Sequence, residues 1–367
     1  MYCLKRKINI WYLVYLVIIF VLAAEIILRI YNPFNTGIKG DKIVLRINMQ
    51  YEVENNKIPV LEKKIIHSKN SLGFRGPEKP IKWDDYFTII TVGGSTTECC
   101  YLADGKTWSD NLYRKLSGSF PRLWVNNAGF GGHSSFGHLI LLQDYLVKLH
   151  PKMILMLVGC NDLAREDLSA SDKYSMKGTY GSIASFFTKN SELANLSANM
   201  LRVKRAKTKH LTDSYINLDQ KKFDTITVSD KVILAKIKNH ERQWLPDYKK
   251  RLDSIVKISR ANGIDLVLLT QPSLFGKGID PITNADLEKH RLYDDVNGLQ
   301  WWKIMERYND ITRQVALEND IFLIDLAREM PKSSLYFYDI VHFTNAGAEK
   351  VSEIIYDELS VFIEKRI

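Results

Sequence analysis

Apolar and polar positions divide the chain into three regimes. The first is a nearly unbroken apolar run from Ile10 to Ala24 that resumes at Ile26, Ile27 and Leu28. As a helix from Ile8 to Ile30 it would extend roughly 34 Å, enough to cross a bilayer. The second regime, residues 31–80, is mixed, with turns at Pro33, Pro59, Pro77 and Pro80. In the third, short apolar runs bounded by turn residues recur: Phe87–Val92, Leu123–Val125, Met153–Val158, Ile264–Thr270 and Ile321–Ile324. Runs this short and this continuous suit strands of a parallel sheet buried on both faces. Helical periodicity lies between and after them, at 136–149, 244–261, 300–318 and 345–363. Strands alternating with helices predict an α/β domain with right-handed crossovers.

One stretch breaks the alternation. From about 163 to 240 no strand pattern is evident, and the segment is too long for a plain connection. It reads as an insertion, and it contains five basic residues between Leu201 and Lys209. Leaning over a site mouth, such a run would favour an anionic polymer or lipid headgroups; otherwise it is a solvated helix face.

Charge sets the orientation of the first segment. Lys5, Arg6 and Lys7 precede the apolar run, which places residues 1–7 in the cytoplasm and exports the remainder of the chain. Trp11, Tyr12 and Tyr15 fall near one interface, Glu25 and Arg29 near the other. A signal peptide cut near Val21-Leu22-Ala23 is the alternative to a retained signal anchor over 8–30. The organisation expected is that anchor, a lead-in over 31–84, and a main domain over 85–367 carrying the insertion. This amounts to a single-pass protein with its main domain outside the cytoplasm.

Composition changes this picture little. The net charge of +9 suits an anionic surface or an acidic glycan. No helix-turn-helix, zinc-finger or RNA-binding signature is present, so no nucleic acid partner is expected. Four cysteines in 367 residues make no disulfide framework. Adjacent Cys99 and Cys100 pair only with strain, whereas a bridge from either to Cys160 is geometrically conceivable.

Candidate chemistry sits in four short blocks. They are Gly93-Gly94-Ser95-Thr96-Thr97, Asn127 to Gly132, Gly159-Cys160-Asn161-Asp162 and Asp339-Ile340-Val341-His342. Ser95 follows a strand and two glycines, where a helix start can expose a hydroxyl at the carboxyl edge of a sheet. Taken alone it is an ordinary helix cap. The Gly-Lys-Ser/Thr ending of a phosphate loop is absent, and Thr97 breaks the usual nucleophile elbow. A separation of three positions from Asp339 to His342 allows the carboxylate to hold the imidazole Nδ1–H, leaving Nε2 to take a serine proton. The Ser95 N–H, the Gly132 N–H and the Asn161 amide are candidate donors to an oxyanion. Removing one such donor costs about 2.7–4 kcal/mol of transition-state stabilisation. Gly131 competes with Gly132 for that role on spacing alone. No metal arrangement is visible, and no cofactor is expected. Trp301 and Trp302 read as core or surface aromatics rather than a sugar platform.

Together the four ordered blocks resemble the SGNH, or GDSL-type, hydrolase superfamily in its membrane-anchored bacterial form. The resemblance implies a flavodoxin-like three-layer α/β/α sandwich with a parallel five-stranded sheet. It implies Ser95 as nucleophile, His342 as base, Asp339 as orienter, and Ser95, Gly132 and Asn161 as oxyanion donors. The segment Gly73-Phe74-Arg75-Gly76 is similar to the lead-in of anchored members. The chain departs from the family at Gly94, where an aspartate is usual. The activity implied is a serine esterase or acyl transferase acting outside the cytoplasm on O-acyl, above all O-acetyl, groups of cell-surface glycans. The alternatives are a lipid-directed lysophospholipase or thioesterase, and a non-catalytic glycan-binding or envelope-assembly protein on the same fold.

Overall fold

The computed structural model describes residues 10–34, 37–39, 42–163, 186–208 and 215–365. The chain divides into two compact units, Met1–Val44 with Ser169–His210, and Leu45–Leu168 with Leu211–Ile367. With elements numbered in chain order, the first unit holds helices α1 (Ile10–Ile30) and α6 (Glu192–Thr208). By length and composition α1 can cross a membrane, and nearly all its side chains are exposed.

The second unit opens on an antiparallel hairpin, β1 (Met49–Glu54) and β2 (Lys64–Lys69), in which Tyr51 pairs with His67. Next comes a five-stranded parallel sheet: β3 (Phe87–Val92), β4 (Leu123–Asn127), β5 (Met153–Leu157), β6 (Asp265–Leu269) and β7 (Phe322–Ile324). Its spatial order is β7-β6-β5-β3-β4. Counted along the sheet strands this is the 2-1-3-4-5 order of flavodoxin-like folds, whose switch point lies between β3 and β5.

Strand alternation explains why both faces are apolar. Ile89, Val125, Leu155, Val267 and Ile324 share one cluster with Trp108 and Leu112 of α3 (Trp108–Ser117) and with Val351 and Ile355 of α10 (Asn345–Glu364). The intervening Ile90, Ile154, Met156 and Leu268 are equally buried. Successive side chains point to opposite faces, so these meet the other layer. That layer is built from α4 (Ser135–Leu141, continued through a π turn to Leu149), α8 (Leu245–Ala261) and α9 (Gly298–Glu318). The result is the expected three-layer sandwich.

Within the expected insertion, the described residues hold no strand. They hold α6, a short turn at Leu218–Lys221 and α7 (Asp230–Gln243). Residues 164–185 and 209–214, and most side chains of the basic run, lie outside the described residues. The reading that the run leans over the site falls there. Cys99, Cys100 and Cys160 form no disulfide. Cys99 is a core thiol, and burial pushes its pKa up to about 12.

Candidate active site

The carboxyl end of β3 delivers the first block to the switch point, where open α/β sheets bind ligands. After Gly93 and Gly94 the chain turns into α2 (Ser95–Glu98), with Ser95 half-buried as its first residue. Gly94 is required by close approach: a Cβ there would stand 2.3 Å from Asn161 Nδ2 and 3.1 Å from the His133 carbonyl. With Asn161 and His133 placed as they are, position 94 has no space for a side chain.

The fourth block arrives on a loop pinched between Phe337 and Phe343, where the Tyr338 N–H donates to the His342 carbonyl at 3.0 Å. Thr344 then caps α10 by accepting from Gly347 N–H. Inside the loop, Asp339 Oδ1 accepts from the Val341 and His342 amides at 2.9 and 2.8 Å. Its Oδ2 lies 2.7 Å from His342 Nδ1. With the carboxylate so fixed, Nδ1 carries the proton and Nε2 is the acceptor. Nε2 lies 2.7 Å from Ser95 Oγ. Tyr338 stacks on the imidazole with centroids 5.6 Å apart and planes 9° apart, setting the ring's tilt. The three residues expected to converge do so.

The donors are sorted by their existing bonds. Gly131 N–H donates to Glu98 Oε2 at 2.7 Å and is committed. Gly132, at φ +79° in the left-handed region that favours glycine, has an amide with no partner among the described residues. The Ser95 amide is likewise unengaged among the described residues, as the first N–H of a helix must be. Asn161, at the start of α5 (Cys160–Leu163), gives one amide hydrogen to the His133 carbonyl at 2.9 Å and keeps its second.

Sequence reasoning missed the supports. A four-residue helix leaves its terminal carbonyls without partners of their own, and here each is met from elsewhere. Trp108 Nε1 donates to the Thr96 carbonyl at 3.1 Å, and Asn127 Nδ2 to that of Thr97 at 2.6 Å. Arg75, only 1% exposed, donates to the carbonyls of Glu98, Cys99 and Leu102 at 2.7, 3.0 and 2.8 Å. Its guanidinium also pairs with Asp104 at 3.0 Å. Backbone bonds between Arg75 and Asn127 hold that arginine at the edge of β4. Asp162 is the second support. Buried, it accepts from the Ser135 amide and hydroxyl at 2.9 and 2.6 Å and pairs with Arg251 at 3.0 Å. That clamp ties the third block to the helix just after the second. Only the fixed neighbourhood of Gly73-Phe74-Arg75-Gly76 signalled any of this in the sequence.

Trp301 is buried and Trp302 half-buried, with Gly276 against the Trp302 ring and Lys332 Nζ 5.6 Å from its centroid. Among the described residues no group of three His, Cys, Asp or Glu side chains can hold a metal ion.

A hydroxyl in hydrogen-bond reach of an imidazole, at the switch point of a doubly wound sheet, belongs to acyl transfer through serine. Fold and site together define a serine ester hydrolase. The narrower assignment comes from the chain as a whole. A model of the GDSL-like Lipase/Acylhydrolase family matches residues 91–350, and the chain belongs to that family. No curated protein matches it. Among solved structures, it is similar to an acetyl xylan esterase at 15% identity, covering 74% of this chain and 98% of that one, with a TM-score of 0.42. An acetylxylan esterase from Geobacillus stearothermophilus gives 15% identity, coverage of 74% and 93%, and a TM-score of 0.42. An α/β hydrolase enzyme from the metagenome of Lake Arreo, Spain, gives 16%, 74% and 93%, and 0.42.

Proposed function

We propose that the protein is a membrane-anchored esterase or acyl transferase that acts outside the cytoplasm on O-acyl groups, above all O-acetyl groups, of cell-surface glycans. The observation that carries the chemistry is the pair of 2.7 Å contacts running Asp339–His342–Ser95. Ser95 Oγ attacks the ester carbonyl carbon while His342 Nε2 takes its proton. The carbonyl oxygen becomes anionic and is met by the amides of Ser95 and Gly132 and by the Asn161 side chain. Collapse expels the alcohol, which leaves with the proton from His342, and an acyl-serine remains. Water, or a second sugar hydroxyl, then gives its proton to His342 and attacks the acyl carbon; the bond from that carbon to Ser95 Oγ breaks, and His342 returns the proton to Oγ.

Placement rests on the basic cluster Lys5-Arg6-Lys7 ahead of the apolar helix. In this reading residues 1–7 are cytoplasmic, 8–30 span the membrane, and the remainder lies outside. The glycan substrate rests on that placement and on the habit of the family.

The test uses the full chain with a fluorophosphonate probe, a series of p-nitrophenyl acyl esters and acetylated oligosaccharides. The expected result is labelling at Ser95 and turnover confined to short acyl donors. Full turnover by Ser95→Ala would overturn the mechanism. Preference for long chains would replace glycan by lipid, and absence of both labelling and turnover would favour a binding protein.

A further inference from the structure

The contact between α1 and α6 carries information about the bilayer that neither helix carries alone. Glu25 sits inside the apolar run, with Ile26, Ile27, Leu28 and Ile30 still to come. A carboxylate at such a position must be met by donors that reach its depth. It is met by the start of α6. Glu25 accepts from Ser191 Oγ at 2.8 Å and from the amides of Glu192 and Leu193, each at 3.1 Å. These are the amides that a helix leaves unpaired at its amino end, where negative charge is favoured. Arg29, bonded to Glu25 at 2.8 Å, also donates to the Asn190 carbonyl. Asn32 holds Glu192 at 3.1 Å, and Lys39 pairs with the same carboxylate.

The residues around this junction are suited to lipid. Phe186 and Phe187, immediately before it, are 63% and 57% exposed and pack edge to face. Met200 and Leu201, further along α6, are 65% and 58% exposed. From 186 to 209 the chain carries six Lys and Arg against one Glu. Exposed aromatic and apolar side chains along a basic segment are the composition of an interfacial element.

We propose that Phe186–Thr208 is a second membrane contact, lying in the leaflet where α1 emerges. Its phenylalanines and Met200–Leu201 enter the boundary of the acyl chains, and the net positive charge of the segment favours anionic headgroups. The occupant of this face is a lipid surface. The inference rests on the reading of α1 as a membrane anchor.

The test places the photo-crosslinker p-benzoylphenylalanine at Phe187, at Val17 in the middle of α1, or at exposed Leu317 on α9, in the full chain. The protein is held in nanodiscs of equal parts phosphatidylcholine and phosphatidylglycerol. Phospholipid adducts are expected at Phe187 and Val17 and not at Leu317. The Phe187 yield should fall about tenfold in pure phosphatidylcholine. That dependence should disappear when Arg202, Lys204, Arg205 and Lys207 are all changed to Gln. Adducts at Val17 without adducts at Phe187 would overturn this proposal and leave the anchor standing. Absence at both would overturn the anchor and the proposal with it. A Phe187 yield indifferent to lipid charge would overturn the headgroup selection.

Discussion

Gly94 and Asn161 occupy one space: a Cβ on the first would stand 2.3 Å from the amide nitrogen of the second. The two residues come from different blocks at the ends of neighbouring strands, β3 and β5. One position thus gives up a side chain so that the other can place an amide beside the serine.

Gly94→Ala should therefore act through Asn161. The methyl displaces the amide, and kcat should fall about 10²–10³-fold, the range for loss of one oxyanion donor. Asn161→Ala should cost a similar factor. The double variant should be no worse than Asn161→Ala alone, because both changes remove the same interaction. Steady-state kinetics on p-nitrophenyl acetate measure this, and additive losses would refute the coupling.

Asp339→Asn should keep the fold and lose catalysis. Both oxygens of Asp339 are engaged, one by two backbone amides and one by His342. An amide there no longer favours the tautomer that leaves Nε2 free, and kcat should drop about 10⁴-fold. Melting temperature and fluorophosphonate labelling, measured together, separate a lost base from a lost fold.

Arg75→Met should loosen the turn that bears Ser95. Three carbonyls lose a charged donor in a site where an unmet polar group costs about 1–3 kcal/mol. A destabilisation of at least about 3 kcal/mol is expected, or roughly 6–12 °C in Tm. Below that temperature kcat should fall more than KM rises. Arg75→Lys, with three donors in place of a planar fork, should recover only part of the loss.

Acid sensitivity should trace to His67. Its Nε2–H donates to the Cys100 carbonyl at 2.6 Å, just beyond the Ser95 turn, and Nδ1 faces the Tyr51 hydroxyl at 3.4 Å. Burial, aided by the nearby Arg75 charge, lowers its pKa from 6.5 to about 4. The unfolded chain therefore binds a proton that the folded one refuses. The stability this histidine contributes is complete above pH 6.5 and is lost as the pH falls to about 4. At 1.36 kcal/mol per pH unit, that is about 3 kcal/mol at most. Denaturant melts of His67→Phe should show a shallower fall across this window than the unaltered chain. Equal slopes would remove His67 from the account.

Much of the sheet was legible because its strands are buried on both faces and so read as continuous apolar runs. Phe87–Val92 matches to the residue, and the other four differ at their ends by one or two positions. The hairpin of β1 and β2 was not legible. Met49-Gln50-Tyr51-Glu52-Val53-Glu54 alternates inward and outward, so a search for unbroken runs passes over it. Asp339 and His342 announced themselves through local spacing. Arg75, Glu98 and Asp162 did not, because their work depends on which carbonyls and amides the fold brings to them. The choice between Gly131 and Gly132 needed the Glu98 carboxylate, which no spacing reveals.

Ser95 and His342 lie 247 positions apart. During synthesis the hydroxyl therefore emerges long before the imidazole that will draw its proton, and it passes the interval as an unreactive alcohol. A frameshift or a premature stop between the two leaves it mute. Hydrolysis, once detected, certifies that the intervening polypeptide has been made and folded into place.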